Sequence, residues 1–379
     1  MPRKSASGSR RLAIFQPYVP KYRMPFFDGL NSVLADHHVH LTVFAGEPDN
    51  QQAQRGDKVD GADWIRNIDI KSVRIAGKTF TYAQALRHAR GFDGIILGLE
   101  GTSLDAYDLV MRGRARGTKT GFWGHIGSYV AHQHPVDVAL ERWLMRRADR
   151  VFAYTPHGVE VAVSAGVNRA RTTAVMNSVD VDGMLAKRDS LKRDEVSEFQ
   201  TTRGLACGKT LAFVGGLDES KRIDFLAEAL DHWWETDREI RLIVAGKGGQ
   251  IGFLEKAINR GQVIHLGFAG DNEKALIGRI ATHFVMPGRI GLVAVEALAL
   301  GLPILTTKWP FHAPEEQYLI EGESKITLSD QPREFASQVV DLLNGLTHPR
   351  AHSSFKHPTL NAMIDNYASG ALSMLSLRD

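Results

Sequence analysis

The stretch HFVMPGRIGLVAVEALALGLPILTT, residues 283–307, decides the fold of this chain. Its apolar run Phe284–Met286 predicts a buried strand, after which a glycine-containing loop follows. A helix is predicted from about Leu292 to Leu300, and it ends at Gly301, a residue type that commonly terminates helices. The apolar segment Ile304–Thr306 predicts a second strand. A strand, a helix and another strand in this order are typical of a parallel α/β sheet.

The start of this helix is the first candidate ligand site. Free N–H groups and the helix dipole near Gly291 and Leu292 favour an anion there. Glu296 follows within the first turns, among apolar neighbours, and a carboxylate in such surroundings requires a polar partner. Ribose hydroxyls would satisfy it, whereas an ordinary α/β helix with an exposed glutamate explains the same residues equally well. Both interpretations stay open on this stretch alone.

The rest of the chain alternates strand and helix patterns. Its 379 residues exceed a usual single core, so two domains are expected. The other predicted strands are 12–15, 39–45, 94–98, 118–123, 150–154, 172–176, 210–214, 241–245 and 263–266, with an extended segment at 68–75. The other predicted helices are 82–90, 138–147, 223–234, 272–280, 335–343 and 362–375. The polar stretch from 181 to 208 separates the two halves and is predicted to be a linker.

Composition indicates a soluble globular protein, since 43% of residues are hydrophobic and 23% are charged. The single cysteine, Cys207, excludes a disulfide framework and fits a reducing compartment. No apolar run approaches the roughly 20 residues of a membrane-spanning helix. Asp180 and Asp182 are two acids without further ligands, so no metal site is predicted.

Two places in the first half are candidate substrate contacts. The first strand is not followed by the G-x-G-x-x-G pattern of dinucleotide-binding proteins, which disfavours an NAD enzyme. Tyr22 and Arg23 lie instead at the first strand–helix turn, where they either hold a substrate or cap the loop. His125 follows a strand and is flanked by glycines. A histidine at the carboxyl end of an α/β strand is placed to hydrogen-bond a sugar or phosphate, although a structural loop histidine is the alternative.

The second half offers a pair of cations after a glycine turn. Gly216 follows a predicted strand, and Lys221 and Arg222 precede the next helix. Cations at this edge of a sheet would neutralise a diphosphate. Gly246 begins the corresponding turn after the next strand.

Charge is unevenly distributed along the chain. Residues 1–180 hold 24 Lys and Arg against 17 Asp and Glu, a balance of +7, and the remainder holds 22 against 26, a balance of −4. Arg112, Arg114 and Arg116 fall on one predicted helix of the basic half. They form either a solvated face or a basic patch for an anionic surface.

Several segments resemble a known family. They are FVGGLDESKRID (213–224), LIVAGKGG (242–249), VIHLGF (263–268), EKALIGRIA (273–281), PGRIGLVAVEALALGLPILTT (287–307) and, less specifically, NSVDVDGM (177–184). The chain resembles a GT-B glycosyltransferase, and its second half looks like glycosyltransferase family 4 (group 1). The resemblance implies an α/β fold with two Rossmann-like parallel-sheet domains facing a cleft. An acceptor-binding domain over 1–180 and a linker over 181–208 would precede a nucleotide-sugar-binding domain over 209–379, whose last helix can pack on the first domain.

The chain departs from the family pattern at two positions. Gly288 stands where the family's first motif glutamate belongs, while Glu296 matches the second. Gly216 stands where the phosphate-loop arginine belongs, while Lys221 matches the family's lysine. The residues implied to act in catalysis are His125, Lys221 and Glu296. Those implied to bind the nucleotide sugar are Gly216, Lys221, Arg222, Gly246, Arg289, Gly291, Leu292 and Glu296, and those implied to bind the acceptor are Tyr22, Arg23 and His125.

The function implied by the resemblance is a retaining hexosyltransferase. It would move a sugar from a UDP- or GDP-sugar to a hydroxyl of a glycan or lipid-linked acceptor in cell-surface glycan or glycolipid synthesis, without a cofactor, a metal or a nucleic acid. The basic first half predicts a cytoplasmic enzyme in contact with an anionic membrane surface. The two departures also permit a catalytically inactive partner-binding subunit, and the fold permits a nucleotide-sugar epimerase.

Overall fold

The chain folds into two α/β units, each built on its own parallel sheet. The computed structural model describes residues 9–49, 53, 56–59, 61–75, 77–127, 134–345 and 355–376. The first unit comprises Met1–Ser178 together with Thr359–Asp379, and the second comprises Val179–Pro358. Among the described residues, no helix is long and apolar enough to cross a membrane.

The first unit contains a seven-stranded sheet in which all neighbouring strands are parallel. Its strands are β1 (Arg10–Gln16), β2 (Val39–Ala45), β3 (Ile65–Asn67), β6 (Gly94–Gly98), β7 (Lys119–Gly124), β8 (Arg150–Ala153) and β9 (Thr172–Ala174). They lie in the order β3-β2-β1-β6-β7-β8-β9. A separate antiparallel pair is formed by β4 (Lys71–Ile75) and β5 (Lys78–Tyr82). The helices are Met24–Asp36, Ala85–His88, Leu104–Asp108, Pro135–Arg147 and Pro156–Ser164, with a π-helical turn at Leu109–Gly113 and 3₁₀ turns at Lys21–Arg23, Arg114–Arg116 and Arg169–Arg171.

The last helix, Leu360–Ser376, completes the first unit although it follows the second in sequence. Tyr367 is fully buried and stacks on Phe152 of β8 with ring centroids 4.7 Å apart. Gly370 lets the helix approach the sheet, because a Cβ there would lie 2.7 Å from the Phe152 ring. This helix therefore packs closely against the sheet of the first unit at β8.

The second unit contains a six-stranded parallel sheet in the order β12-β11-β10-β13-β14-β15. Its strands are β10 (Thr210–Val214), β11 (Arg241–Ala245), β12 (Val263–Gly267), β13 (His283–Met286), β14 (Ile304–Thr306) and β15 (Lys325–Thr327). Its helices are Asp182–Ser190, Arg193–Thr202, Ile223–Thr236, Glu255–Asn259, Asp271–Ile280, Val293–Leu300 and Pro332–Asn344, with 3₁₀ turns at Glu219–Lys221, Ile251–Leu254 and Pro314–Tyr318.

The predicted α/β fold class is confirmed. It could be predicted because the buried strands are apolar runs in the sequence. Residues of β10 and β13 are buried throughout, because helices cover both faces of a parallel sheet. Their continuous apolar runs were therefore visible in the sequence. Gly301 adopts the left-handed conformation, with φ 71°, that the predicted helix end requires.

Two predictions about local structure are wrong. The stretch 181–208 is not a linker, because it forms the helices Asp182–Ser190 and Arg193–Thr202, whose Met184 and Val196 are buried in the core of the second unit. Each helix buries few apolar residues, so the sequence shows no clear helical periodicity of apolar residues in this polar stretch.

The helix predicted over 82–90 is also wrong in most of its length. The segment Lys78–Tyr82 pairs with Lys71–Ile75 as an antiparallel hairpin, and the helix is limited to Ala85–His88. Threonine and aromatic residues in KTFTY favour an extended strand.

Candidate functional site

The second unit places two loops side by side where ligands bind in α/β sheets. Strand β10 has β11 on one side and β13 on the other, so the chain reverses its direction of winding between β10 and β13. Ligands bind at the carboxyl ends of strands next to such a switch point. The turn Asp218–Arg222 after β10 and the loop Pro287–Leu292 after β13 meet there.

The two loops are joined through their backbones at Gly288. A Cβ on Gly288 would lie 2.6 Å from the Lys221 carbonyl carbon and closer still to the Ser220 carbonyl oxygen. The Arg289 N–H donates to that oxygen at 2.7 Å, and Lys221 Nζ donates to the Arg289 carbonyl. The position at which the family carries its first motif glutamate is therefore occupied by backbone, and the glycine is required by packing.

Two cations remain at this junction. The Lys221 side chain is partly buried and holds the 287–292 loop by its bond to the Arg289 carbonyl. The guanidinium of Arg289 is partly exposed, and among the described residues it makes neither a hydrogen bond nor an ion pair. Arg289 is thus an uncompensated charge beside a held ammonium, which is an arrangement suited to a diphosphate.

His312 is a candidate site residue that the sequence analysis did not single out, because it lies outside the strand ends and glycine turns considered there. Its Nδ1 accepts the Ile290 N–H at 3.1 Å, so a neutral ring carries its proton on Nε2. Burial lowers the pKa of the imidazole; Glu316 opposes this, while Lys325, Lys221 and Arg289 lower the pKa further, to about 4. His312 is therefore a neutral Nε2–H donor at pH 7, and no described residue accepts that proton.

The helix after this loop presents backbone donors at its start. The helix begins at Val293, and in the part of the chain that the structure describes the N–H groups of Gly291 and Leu292 make no hydrogen bond. A Cβ on Gly291 would be no closer than 3.8 Å to any neighbour, so this side of the loop is open. Gly291 and Leu292 thus lie as predicted at the N-terminal end of the helix.

Glu296 has a protein partner that was not predicted. Its Oε1 accepts from Lys274 Nζ at 2.5 Å, and both side chains are mostly buried. Burial lowers the pKa of the Lys274 ammonium, but the Glu296 charge and hydrogen bond, together with the Asp271 charge, raise it above its ordinary value. Among the described atoms, Oε2 receives no hydrogen bond, so one oxygen remains for the predicted ribose contact.

Arg222 is not placed as predicted. Its Nη1 donates to Thr307 Oγ1 at 3.0 Å and pairs with Asp330, and its guanidinium lies 4.4 Å from the centroid of the Phe225 ring. With φ 54° it adopts the left-handed conformation at the start of the helix Ile223–Thr236. Asp330 neutralises the charge of Arg222, and these contacts hold the turn after β10. Of these two arginines, Arg289 therefore has the guanidinium that can contact a ligand.

The glycine turns after β10 and β11 pack against each other. A Cβ on Gly246 would lie 2.9 Å from the Gly215 carbonyl carbon, and the Leu217 N–H donates to the Lys247 carbonyl at 3.0 Å. Gly246 is therefore needed for close contact between the loops, and its predicted contact with the nucleotide sugar stays a prediction. Gly216 lies in the same pair of turns, half-buried at the edge of the site.

In the first unit, Arg23 is buried, with 6% of its surface exposed, and does not reach solvent as an acceptor contact would. Its guanidinium lies 5.2–5.9 Å from the ring centroids of Tyr22, Trp123 and Tyr154. Aromatic packing, which local sequence does not reveal, takes up this charge. Arg23 forms no side-chain cap bond to the following helix, and its predicted contact with the acceptor stays a prediction.

Tyr22 and His125 stay accessible in the first unit. Tyr22 is 45% exposed after β1, and His125 is half-buried after β7, with its ring centroid 4.8 Å from that of Tyr154. Both follow the carboxyl ends of strands in the sheet. Their predicted contacts with acceptor and donor stay predictions.

Two Rossmann-like α/β units in one chain are the architecture of the GT-B fold. Residues 208–345 match the family model described as Glycosyl transferases group 1. The predicted resemblance to GT-B glycosyltransferases is thereby confirmed, whereas assignment to family 4 in particular stays a prediction.

Known proteins with similar sequence or structure agree with this class. The chain is 26% identical over 182 residues to a 2-deoxystreptamine glucosyltransferase of Streptomyces kanamyceticus, an alignment over 45% of this chain and 46% of the relative. The chain spans about half the length of the curated relatives it matches.

Solved structures share the fold over nearly the whole chain. A glycosyltransferase from Rickettsia africae has a TM-score of 0.68 at 10% identity, covering 98% of this chain and 100% of that one. Alr3699/HepE of Anabaena, solved in complex with UDP, has a TM-score of 0.58 at 16% identity, covering 97% and 95%. At these identities the likeness concerns the fold alone.

Proposed function

We propose that this protein is a glycosyltransferase that moves a sugar from a nucleoside diphosphate sugar to a hydroxyl acceptor, with retention at the reacting carbon. The observation that carries the proposal is the set of unused donors at the switch point of the second unit. They are the Arg289 guanidinium, the His312 Nε2–H and the N–H groups of Gly291 and Leu292. Together they suit a ligand with two negative phosphates.

In the proposed reaction, the bond between the anomeric carbon and the diphosphate oxygen breaks while the acceptor oxygen bonds to that carbon. The acceptor hydroxyl proton passes to the departing phosphate, which accounts for attack on the same face. The enzyme then has to stabilise the negative charge that grows on the diphosphate. Arg289 and the loop donors serve this role, Lys221 holds the loop that carries them, and Glu296 Oε2 receives the ribose hydroxyls.

UDP is the first nucleotide to test, because Alr3699/HepE was solved with UDP and has the same fold. We expect the native protein to melt at a higher temperature with UDP or GDP, since a ligand that binds only the folded state stabilises it. Arg289→Gln should remove most of that shift, whereas Arg238→Gln should preserve it, because Arg238 is an exposed arginine before β11, at the amino edge of the sheet. No shift with any nucleoside diphosphate would overturn the proposal.

Product analysis separates transfer from the two alternatives. A transferase releases nucleoside diphosphate from a labelled donor only when acceptor is present, and an epimerase converts the donor sugar without an acceptor. An inactive partner-binding subunit does neither. The backbone packing at Gly288 accounts for the missing glutamate without loss of the site, and this supports an active enzyme.

The proposed setting is cell-surface glycan or glycolipid synthesis at the cytoplasmic face of a membrane. Support comes from the +7 balance of residues 1–180, because cations are attracted to anionic lipid. Tyr22 and His125 keep their predicted contacts with the acceptor and the donor sugar. The proposal needs no cofactor and no metal, and the donor base stays open between uridine and guanosine.

A further inference from the structure

The hairpin formed by β4 and β5 in the first unit is unusual for its exposure. Every residue of Lys71–Ile75 is exposed, including Val73 at 50% and Ile75 at 57%. These two side chains share one face, because alternate residues of a strand point the same way. Their cross-strand neighbours on that face are Phe80 and Lys78. Exposed apolar side chains that share one face of a strand are suited to contact with a partner.

The hairpin is fixed at the carboxyl edge of the sheet. On one side, Ile70 packs against Gly46, which directly follows β2. On the other, the Thr81 N–H donates to the Thr102 carbonyl at 3.1 Å, and Thr102 lies in the loop after β6. Tyr22 follows β1 at the same edge. The hairpin therefore stands beside the loops proposed to meet the acceptor.

Two further apolar residues border the hairpin. Leu104 is 40% exposed, and Ser103, the residue before it, forms a bridge with Thr81. Val136 is 54% exposed, and its neighbour Asp137 pairs with Lys78 at 2.6 Å. We call the hairpin together with Leu104 and Val136 the hairpin surface.

The charges of the hairpin surface indicate the kind of partner that it would bind. Lys71 shares the face of Val73 and Ile75, whereas Arg74 lies on the opposite face of the same strand. Both are exposed, and neither has an ion pair among the described residues. Lys78 is neutralised by Asp137, and Asp69 is the acid that precedes the hairpin. A second copy of the chain would bring like charges together on this surface, which is unfavourable. Apolar side chains bordered by free cations fit an interface with anionic lipid headgroups.

The arginine stretch at 112–116 is not placed for this role. Arg112 pairs with Asp108, and the stretch runs into β7, which begins at Lys119. It therefore lies at the amino edge of the sheet, opposite the loops proposed to meet the acceptor. The three arginines of the predicted basic patch are exposed, and their predicted contact with an anionic surface stays a prediction.

We propose that the hairpin surface docks the protein on an anionic lipid surface and so brings a lipid-linked acceptor to the carboxyl edge of the first unit. Val73 and Ile75 would enter the headgroup region, and Lys71 on the same face would contact the lipid phosphates. Arg74 would contact them from the opposite face of this exposed strand. The docking is independent of catalysis. Only the identity of the acceptor rests on the proposed function.

Co-sedimentation with vesicles tests this inference on the full chain. The protein should sediment with vesicles of phosphatidylcholine and phosphatidylglycerol at low salt. It should stay in the supernatant at about 0.5 M salt, because the Debye length is short there. The double variants Lys71→Gln/Arg74→Gln and Val73→Ser/Ile75→Ser should each bind about tenfold more weakly or worse. The matched control, Arg114→Gln/Arg116→Gln, removes the same charge at the opposite edge and should bind like the native protein.

Equal losses in the control and the hairpin variants would overturn the inference, as would native binding by the hairpin variants. A native dimer that the hairpin variants convert to monomer would also overturn it, in favour of a second copy as partner. The melting-temperature shift with UDP should be unchanged in all of these variants. If no nucleotide shifts the native protein while the hairpin variants lose vesicle binding, the proposed function fails and the docking stands.

Discussion

Replacing Gly288 tests whether the loop junction excludes the family's glutamate. The Cβ of Gly288→Ala would lie 2.6 Å from the Lys221 carbonyl carbon, against an optimal carbon separation of about 3.5–4.0 Å. The turn and the loop would have to separate by roughly 1 Å, which strains the 2.7 Å bond from the Arg289 N–H to Ser220 and the bond from Lys221 to the Arg289 carbonyl. Overpacking of this kind costs about 1–3 kcal/mol, and a lost hydrogen bond about 0.5–1.5 kcal/mol more.

The expected result is a second unit whose unfolding midpoint falls by several degrees, since 1 kcal/mol corresponds to about 2–4 °C in a unit of this size. Calorimetry of the full chain, resolved into two transitions if the units unfold separately, measures this change. Gly291→Ala is the matched control, because its Cβ would be 3.8 Å from the nearest atom and should cost little. Gly288→Glu should weaken UDP binding. Normal stability of Gly288→Ala, or tighter UDP binding by Gly288→Glu, would refute the reasoning.

Three further substitutions probe the same site. Glu296→Gln should weaken nucleotide binding by about 1–3 kcal/mol and also destabilise the second unit, because Lys274 loses its partner; unchanged affinity in titration calorimetry would remove Glu296 from the site. Lys221→Ala should weaken nucleoside diphosphate binding far more than nucleoside binding, and equal losses would mean that Lys221 only supports the loop. The pKa of His312 is depressed to about 4, so its contribution to the free energy of unfolding is full above pH 6.5 and is lost as pH falls toward 4. Urea unfolding across this range should show a smaller pH dependence in His312→Gln, and an unchanged slope would contradict the assigned neutral state.

The sequence predicted the frame of this protein because the frame follows local rules. Val39–Ala45 and Gly94–Gly98 were found at their observed bounds. Gly94–Gly98 is an apolar run because it is buried on both faces, whereas Val39–Ala45 begins with the apolar and polar alternation of a half-buried strand. The helix Val293–Leu300 and its end at Gly301 follow from composition and from a glycine in the left-handed conformation. These features require no knowledge of distant residues.

The partners of the charged residues could not be predicted in this way. Glu296 meets Lys274 across 22 positions, and Arg222 meets Asp330 across 108 positions. Such pairs depend on which helices and loops become neighbours in the folded sheet. The sequence therefore indicated which residues carry charge at the strand ends, but not which of those charges the fold neutralises.

The return of the helix Leu360–Ser376 to the first unit sets an order of assembly during synthesis. Tyr367 and Met374 are fully buried in the first unit, yet they emerge from the ribosome only after all of Val179–Pro358 has been made. At about 5–20 residues per second, the groove beside Phe152 waits roughly 10–40 s for its helix. The second unit is continuous in sequence and can finish folding while the first is still incomplete. The nascent first unit thus carries an uncovered apolar groove for that time, and a chaperone that shields Phe152 would act in this interval.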